Sequence, residues 1–176
     1  MNEHKRVSQQ QVFACSIFSV DEEEFSYRDK SFTRYSVRHP GAAVFLPKTE
    51  NGSLLLVRQF RAPLMSYLLE APAGTLGIGE VPLDCAKREI QEEVGMRAEQ
   101  WISLGELYPA PGFCDERQFL FLASELHPSS LPQDEDEDIE VVEYSVTEVE
   151  RGIADGEIVD GKTVALFSRA RFGGLI

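Results

Sequence analysis

The sequence predicts an α/β fold in which a mixed β-sheet lies between helices, preceded by a small antiparallel β region. From residue 42 onward, strand-like stretches alternate with stretches of helical spacing, as in layered α/β folds. Residues 53–58 (SLLLVR) are almost continuously apolar, which is typical of a strand buried on both faces. Residues 82–94 carry apolar side chains three or four positions apart, which predicts an amphipathic helix.

The first 38 residues are predicted to form antiparallel strands. Residues 1–10 are polar and are expected to fray. Short alternating runs follow at 12–20, 24–29 and 31–38, joined by polar turns. The turn residues His39-Pro40-Gly41 then end the region. The aromatic residues of these runs could pair across strands: Phe25, Tyr27, Phe32 and Tyr35.

The rest of the chain, residues 39–176, is predicted to be one domain. Each expected strand is a short apolar or alternating run, and each expected helix has apolar residues at helical spacing. Proline and glycine predict a loop at 109–116, and an acidic stretch predicts another at 129–138. Strands are expected at 42–46, 53–58, 67–69, 100–108, 117–123 and 139–145, and helical segments at 82–94, 146–152 and 163–172.

Composition restricts the partners. A chain of 176 residues with a net charge of −13 can bury one good core, but its charge disfavours nucleic acid and anionic membranes. Cys15, Cys85 and Cys114 are scattered and lack metal-ligand spacing, which predicts reduced thiols in a cytoplasm. We find no signal peptide and no stretch of transmembrane length. We therefore expect a cytoplasmic protein.

The predicted helix at 82–94 carries three carboxylates on one side. Glu89, Glu92 and Glu93 fall within an arc of about 100°, away from the apolar stripe. Like charges at this spacing destabilise a helix by a few tenths of a kcal/mol per pair. On an acidic protein such a face is commonly just solvated, but a divalent cation would also compensate it. Mg²⁺ commonly combines one or two carboxylates with substrate phosphates.

The spacing around these acids decides between the two interpretations. Residues 74–96 (GTLGIGEVPLDCAKREIQEEVGM) fit the pattern G-x5-E-x7-R-E-U-x-E-E-x-G-U, where U is apolar. From average residue usage, a chance match is on the order of one in a million. The segment resembles the signature of the Nudix hydrolases at every fixed position. The resemblance implies an α/β/α sandwich and metal-dependent hydrolysis of a diphosphate.

The resemblance also assigns roles to individual residues. It implies that Glu89, Glu92, Glu93 and the carbonyl of Ala73 hold Mg²⁺, which Mn²⁺ could replace. Glu92 and Glu93 are then also catalytic. Arg88 and Glu80 match residues that join the loop to the helix. In the acidic stretch 134–143, Glu137 matches a catalytic glutamate, as general base or further metal ligand.

Motifs outside the signature resemble those of ADP-ribose pyrophosphatases and other nucleoside diphosphate sugar hydrolases. They are HPGA at 39–42, EAPAG at 70–74 after VRQFRAP, and APG at 110–112. Many relatives read SPG at the last of these. Arg58 and Arg61 of VRQFRAP could bind the diphosphate through bidentate hydrogen bonds or form ordinary ion pairs. Glu70 could bind the nucleoside or pair with an arginine. Glu116 is also an alternative general base. The predicted substrate contacts are Arg58, Arg61, Glu70, Pro111 and Glu116.

We therefore expect Mg²⁺-dependent hydrolysis of a small molecule, ADP-ribose first, to AMP and ribose 5-phosphate. By resemblance, residues 1–38 would form a dimerisation and base-stacking element of a homodimer, with no nucleic-acid or membrane partner. One alternative is another specificity: GDP-mannose, a nucleoside triphosphate or an RNA 5′ end. The acidic charge disfavours RNA and the loop around Pro111 disfavours triphosphates, while GDP-mannose stays open. A non-catalytic nucleotide sensor is the second alternative, disfavoured by the complete set of acids.

Overall fold

A computed structural model describes residues 4–132 and 138–176. It confirms the predicted succession of strands and helices, with longer elements at several places. In chain order the elements are β1 (Lys5–Ala14), β2 (Ser19–Tyr27), β3 (Lys30–Arg38), β4 (Ala42–Pro47), β5 (Leu54–Arg61), a 3₁₀ turn (Ala62–Leu64), β6 (Ser66–Glu70), β7 (Ala73–Thr75), α1 (Pro82–Glu93), β8 (Met96–Leu107), β9 (Gln118–Pro128), β10 (Ile139–Tyr144), α2 (Val146–Asp155) and α3 (Gly161–Phe172).

The N-terminal strands form an antiparallel sheet of their own in the order β1-β2-β3. The prediction that residues 1–10 fray was wrong from Lys5 onward, where β1 begins. Polar side chains hold this strand to β2: Arg6 donates to Glu23 at 2.7 Å and Gln9 to Asp21 at 2.5 Å. The stabilising contacts are therefore cross-strand polar pairs, which a search for apolar alternation overlooks.

Aromatic pairing across the N-terminal strands is confirmed for one pair. Phe25 lies opposite Phe32 in the β2–β3 register, with ring centroids 5.8 Å apart. Tyr27 instead stacks on His4 at 4.0 Å, and the Tyr35 hydroxyl donates to a β2 carboxylate at 2.6 Å. The aromatic residues therefore stabilise this sheet by different contacts.

The rest of the chain forms two further sheets with helices on both sides. One sheet has the order β7-β4-β9-β8 and is mixed, because β4 and β9 are parallel, and the other has the order β10-β5-β6. Along β4, Val44 and Leu46 pack in a core with α2 and α3, whereas Ala43 and Phe45 pack in a second core with α1. The predicted α/β/α arrangement is confirmed, with its central strands divided between two sheets.

Helix α1 has the predicted bounds because its termini carry the expected residues. Pro82 occupies the first turn, where it gives up no hydrogen bond, and Gly95 follows the helix with a φ of +70°, a conformation that glycine adopts readily. Ala86 and Ile90 are fully buried against the sheet. The carboxylates of the helix are therefore left on its other side, near β7.

Two further expectations concern the state of the cysteines and the presence of membrane-spanning segments. Cys15, Cys85 and Cys114 are all free thiols, exposed, buried and half-buried respectively. Within residues 4–132 and 138–176, none of the helices is both long enough and apolar enough to cross a membrane.

Candidate active site

The acids of α1 surround one arginine. The Arg88 guanidinium donates to both carboxylate oxygens of Glu80 at 3.2 Å, to Glu89 at 2.6 Å and to Glu92 at 2.7 Å. These bonds raise the pKa of Arg88, and the bond from Arg88 lowers the pKa of Glu80 below its usual range. Arg88 therefore offsets the repulsion between carboxylates and joins the loop before α1 to the helix, as the sequence predicted.

The same face of α1 meets the backbone of β7. Glu93 is 5% exposed, and its Oε2 accepts a hydrogen bond from the Ala73 amide at 3.0 Å. At Gly74 a Cβ atom would lie 1.9 Å from Cδ and Oε1 of Glu89. Only glycine therefore leaves room for the Glu89 carboxylate at this point. Two acids predicted to bind metal, Glu89 and Glu93, thus lie beside Gly74 and Ala73.

Ala73 and Gly74 also line a cavity of about 460 Å³, which is within the size range of small-molecule sites. The cavity brings several predicted residues together with residues that the sequence did not indicate. Its lining consists of His39, Ala42, Arg61, Leu68, Glu70, Ala73, Gly74, Thr75, Pro109, Glu116, Gln118, Asp160, Gly161 and Lys162.

A buried carboxylate holds two cations at the wall of this cavity. Glu70 is 1% exposed and accepts from Arg61 Nε at 2.7 Å and Nη2 at 2.6 Å, and it also pairs with Lys162. Burial raises the pKa of Glu70, but the bonds to Arg61 and the charge of Lys162 outweigh it and leave that pKa below its usual value. Of the two roles considered for Glu70, pairing with an arginine is the one in the structure.

Two of the predicted substrate contacts lie outside this cavity. Arg58 is exposed, stands over the Tyr67 ring at 5.4 Å and is not part of the cavity lining. Pro111 lines a separate cavity of about 220 Å³, together with Phe25 and Tyr35 of the N-terminal sheet. Glu137 lies outside the described residues.

Comparison with known proteins decides the family. The NUDIX domain model matches residues 37–167. The chain belongs to the NUDIX family. It is 35% identical over 164 residues to the ADP-ribose pyrophosphatase of Bacillus subtilis (strain 168), covering 92% of this chain and 89% of that protein. It is 40% identical over 149 residues to the GDP-mannose pyrophosphatase of Yersinia enterocolitica, covering 79% and 77% respectively.

A solved structure confirms the NUDIX fold. The crystal structure of an ADP compounds hydrolase superposes with a TM-score of 0.84 over 100% of this chain and 98% of that one, at 22% identity. The prediction of a NUDIX-family enzyme with an α/β/α sandwich is confirmed.

The oxygen atoms of this NUDIX site suit a divalent metal. Carboxylate and backbone oxygens are the donors that Mg²⁺ and Mn²⁺ prefer, and the missing Cβ at Gly74 gives the Glu89 carboxylate its space. Glu89 and Glu92 are bonded to Arg88, and across residues 4–132 and 138–176 no three Asp, Glu, His or Cys groups stand arranged to hold a metal ion. Binding one therefore requires the acids to rearrange from the positions that they hold around Arg88.

Sequence reasoning missed the cavity residues that follow β10. Asp160 caps α3 by accepting from the Thr163 amide at 2.9 Å and pairs with Lys162 at 3.1 Å. The Thr163 hydroxyl in turn accepts from the Ala71 amide at 2.6 Å. An aspartate just before a run of helical spacing is a helix-start signal, so the start of α3 could be predicted from the sequence. The pairing of Lys162 with Glu70, 92 residues earlier, could not be predicted from any local pattern.

Proposed function

We propose that this NUDIX enzyme hydrolyses the diphosphate bond of nucleoside diphosphate sugars with the help of Mg²⁺, and that ADP-ribose is its preferred substrate. The supporting observation is the junction at Ala73 and Gly74. These residues contact the acids of α1 on one side and line the cavity of about 460 Å³ on the other. A substrate in the cavity would thus have its diphosphate next to the acids.

In this proposal Glu89, Glu92, Glu93 and the Ala73 carbonyl hold the metal. When bound, Mg²⁺ would neutralise diphosphate charge and lower the pKa of a water molecule. Water adds across the diphosphate: its oxygen bonds to one phosphorus, and the bond from that phosphorus to the bridging oxygen breaks. ADP-ribose would give AMP and ribose 5-phosphate, with the water protons released or taken up by a base.

The chain's own residues would position the substrate. Arg61 and Lys162 bring positive charge to the cavity wall, and Glu70 fixes both side chains in place. Glu116 lines the same cavity and is a candidate general base, alongside Glu137 from outside the described residues. The exposed Arg58 would reach a substrate only from outside the cavity.

ADP-ribose ranks first among substrates for two reasons. The Bacillus subtilis relative named for ADP-ribose matches 92% of this chain, against 79% for the relative named for GDP-mannose. His39 and Ala42 of the HPGA motif also line the cavity, so a motif that resembles the ADP-ribose branch lies at the proposed site. GDP-mannose is the second candidate, since its relative shares the higher identity of 40%.

We further propose that residues 1–38 form a dimerisation and base-stacking element beside the catalytic domain, 39–176. Strand β1 is at the edge of its sheet and exposes the apolar side chains of Val7, Val12 and Phe13, which favours pairing with a second copy. Phe25 and Tyr35 border the cavity beside Pro111 and are the candidate base-stacking residues. Light scattering tests this element: a monomeric mass would contradict it.

A substrate panel tests the activity. ADP-ribose, GDP-mannose, UDP-glucose and dGTP are incubated with the enzyme and either Mg²⁺ or EDTA. We expect the highest kcat/KM for ADP-ribose, AMP and ribose 5-phosphate as products, and loss of turnover in EDTA. The variant Glu93→Gln should stay folded but lose at least about a hundredfold in turnover, whereas the exposed control Glu157→Gln should not.

Three results would contradict the proposal. Near-normal Mg²⁺-dependent rates in Glu93→Gln would refute the assigned role of the acids. Higher kcat/KM for GDP-mannose would replace ADP-ribose as the substrate. Tight binding of ADP-ribose without any product would favour a nucleotide sensor.

A further inference from the structure

Gln118 is a buried amide in the wall of the cavity. It begins β9, where it lies between Ala42 of β4 and Leu107 of β8 in the sheet register. The residue is 6% exposed and lines the cavity. The mechanism proposed above leaves it without a role.

One end of this amide has a partner and the other has none among the described residues. Nε2 donates to Glu116 Oε1 at 2.8 Å, whereas Oε1 is buried without a hydrogen-bond donor within residues 4–132 and 138–176. Turning the amide over would place its oxygen against the Glu116 carboxylate, so the bond to Glu116 fixes the orientation. Most buried side-chain polar atoms are hydrogen-bonded, and leaving one without a partner is destabilising.

The chemistry of Oε1 restricts what can bind there. An amide oxygen only accepts hydrogen bonds, so its ligand must carry a donor. The diphosphate oxygens are acceptors at neutral pH and are excluded. The neighbouring Glu116 carboxylate is a further acceptor. Two adjacent acceptors match neighbouring hydroxyl groups of a sugar, which can donate one hydrogen bond to each.

We propose that Gln118 and Glu116 form a subsite for sugar hydroxyl groups, in which Gln118 Oε1 accepts a hydrogen bond from the substrate and determines specificity. The inference rests on the proposed function, because the ligand is a nucleoside diphosphate sugar. The hydroxyl belongs either to the nucleoside ribose or to the distal sugar. Both sources offer the same donor, and the experiment separates them.

The test measures binding apart from turnover. Gln118→Leu removes the acceptor at similar size, and Gln118→Met is a second variant with a more flexible side chain. Calorimetry with ADP-ribose in EDTA should show binding about tenfold weaker than wild type, the loss of one hydrogen bond. With Mg²⁺, KM should rise while kcat changes little, as for an interaction made equally in ground and transition states. The exposed control Gln100→Leu should bind as wild type does.

Three further ligands locate the hydroxyl. If it lies on the distal sugar, wild type and Gln118→Leu should bind ADP equally. If it lies on the nucleoside, the two proteins should bind the 2′-deoxyadenosine or 3′-deoxyadenosine form of ADP-ribose equally. A tenfold difference that persists with all three ligands would overturn the subsite.

The melting temperature gives a second measure of binding. Both variants lose the hydrogen bond from Nε2 to Glu116 together with the unsatisfied acceptor, so the quantity compared is the rise in melting temperature that ADP-ribose produces, which should be smaller in both variants than in wild type. A wild-type rise in both variants, or unchanged binding of ADP-ribose, would overturn the inference. Unchanged binding with hydrolysis intact would leave the proposed function standing, whereas absence of hydrolysis in the wild type would refute that function itself.

Discussion

The substitution Gly74→Ala tests how closely β7 and α1 approach each other. The new Cβ would lie 1.9 Å from the carboxylate carbon and Oε1 of Glu89 and 2.2 Å from its Cγ. These atoms are at the end of a flexible side chain, so the fold can accommodate the methyl group if Glu89 moves. Ordinary contact begins near 3.4 Å, and the carboxylate must therefore retreat by roughly 1.5 Å, the difference between this limit and the 1.9 Å contact.

A displacement of this size should affect activity more than stability. Misplacing a catalytic group by about 1 Å can cost a hundredfold in rate, which corresponds to about 2.7 kcal/mol. We expect kcat/KM for ADP-ribose to fall by about a hundredfold or more. The free energy of unfolding should change by only about 1 kcal/mol, because alanine lowers the conformational entropy of the unfolded chain and the flexible Glu89 side chain can move aside in the folded protein.

The assay combines urea unfolding with steady-state kinetics over a range of Mg²⁺ concentrations. Gly52→Ala is the control, since a Cβ there meets nothing within 4 Å and Gly52 lines neither of the two cavities described above. We expect Gly74→Ala to need more Mg²⁺ than wild type. Gly52→Ala should match wild-type kinetics even though its positive φ lowers stability. Wild-type kinetics in Gly74→Ala would refute the reasoning about Glu89, and complete unfolding would refute the claim that Glu89 can move aside.

Two further predictions concern buried groups. Glu70→Gln should lower the free energy of unfolding at pH 7 by about 3 kcal/mol, because it removes the buried charge shared by Arg61 and Lys162 and leaves Lys162 with Asp160 alone. Since the folded-state pKa of Glu70 is below its ordinary 4.5, this stabilisation is present above pH 4.5 and is lost as the pH falls through the folded-state pKa; an equal difference in urea unfolding at pH 7 and at a pH below that value would contradict it. Burial, with the charges of nearby carboxylates, raises the pKa of Cys85 to about 12, so a thiol reagent at pH 8 should modify the exposed Cys15 at once and Cys85 only in denaturant. Rapid native modification of all three thiols would show that Cys85 is accessible.

The sequence predicted the helix that carries the acids almost to the residue. Pro82 and Gly95 mark its two ends, and the spacing of its acids and apolar residues determines which side is buried. The N-terminal strand β1 was underestimated because its contacts are polar pairs such as Arg6 with Glu23. Periodicity reports burial, and a strand held by cross-strand hydrogen bonds carries little of that signal.

The wall of the cavity was harder to predict because its residues come from distant segments. Glu70 and Lys162 are 92 positions apart, and no local pattern connects them. Gln118 could be placed in a strand from the sequence, but the contacts of its amide could not be predicted. Its Nε2 donates to Glu116, which leaves Oε1 without a donor among the described residues. Local spacing therefore indicates the acids of α1, whereas the residues of the cavity wall are brought together only by the fold.

The charges of the cavity explain why a metal should be indispensable. The ionisable groups that line it, histidine aside, are Arg61, Lys162, Glu70, Asp160 and Glu116, so two cations stand against three carboxylates. Both cations are already paired with Glu70, in a chain whose net charge is −13. A diphosphate would add further negative charge to a site that is not positive. A divalent cation bound by the acids of α1 would place two positive charges next to the diphosphate, at a distance well inside the screening length of about 8–10 Å. Chelation should therefore weaken substrate binding as well as turnover, and equal affinity for ADP-ribose with Mg²⁺ and with EDTA would show that the protein's own cations suffice.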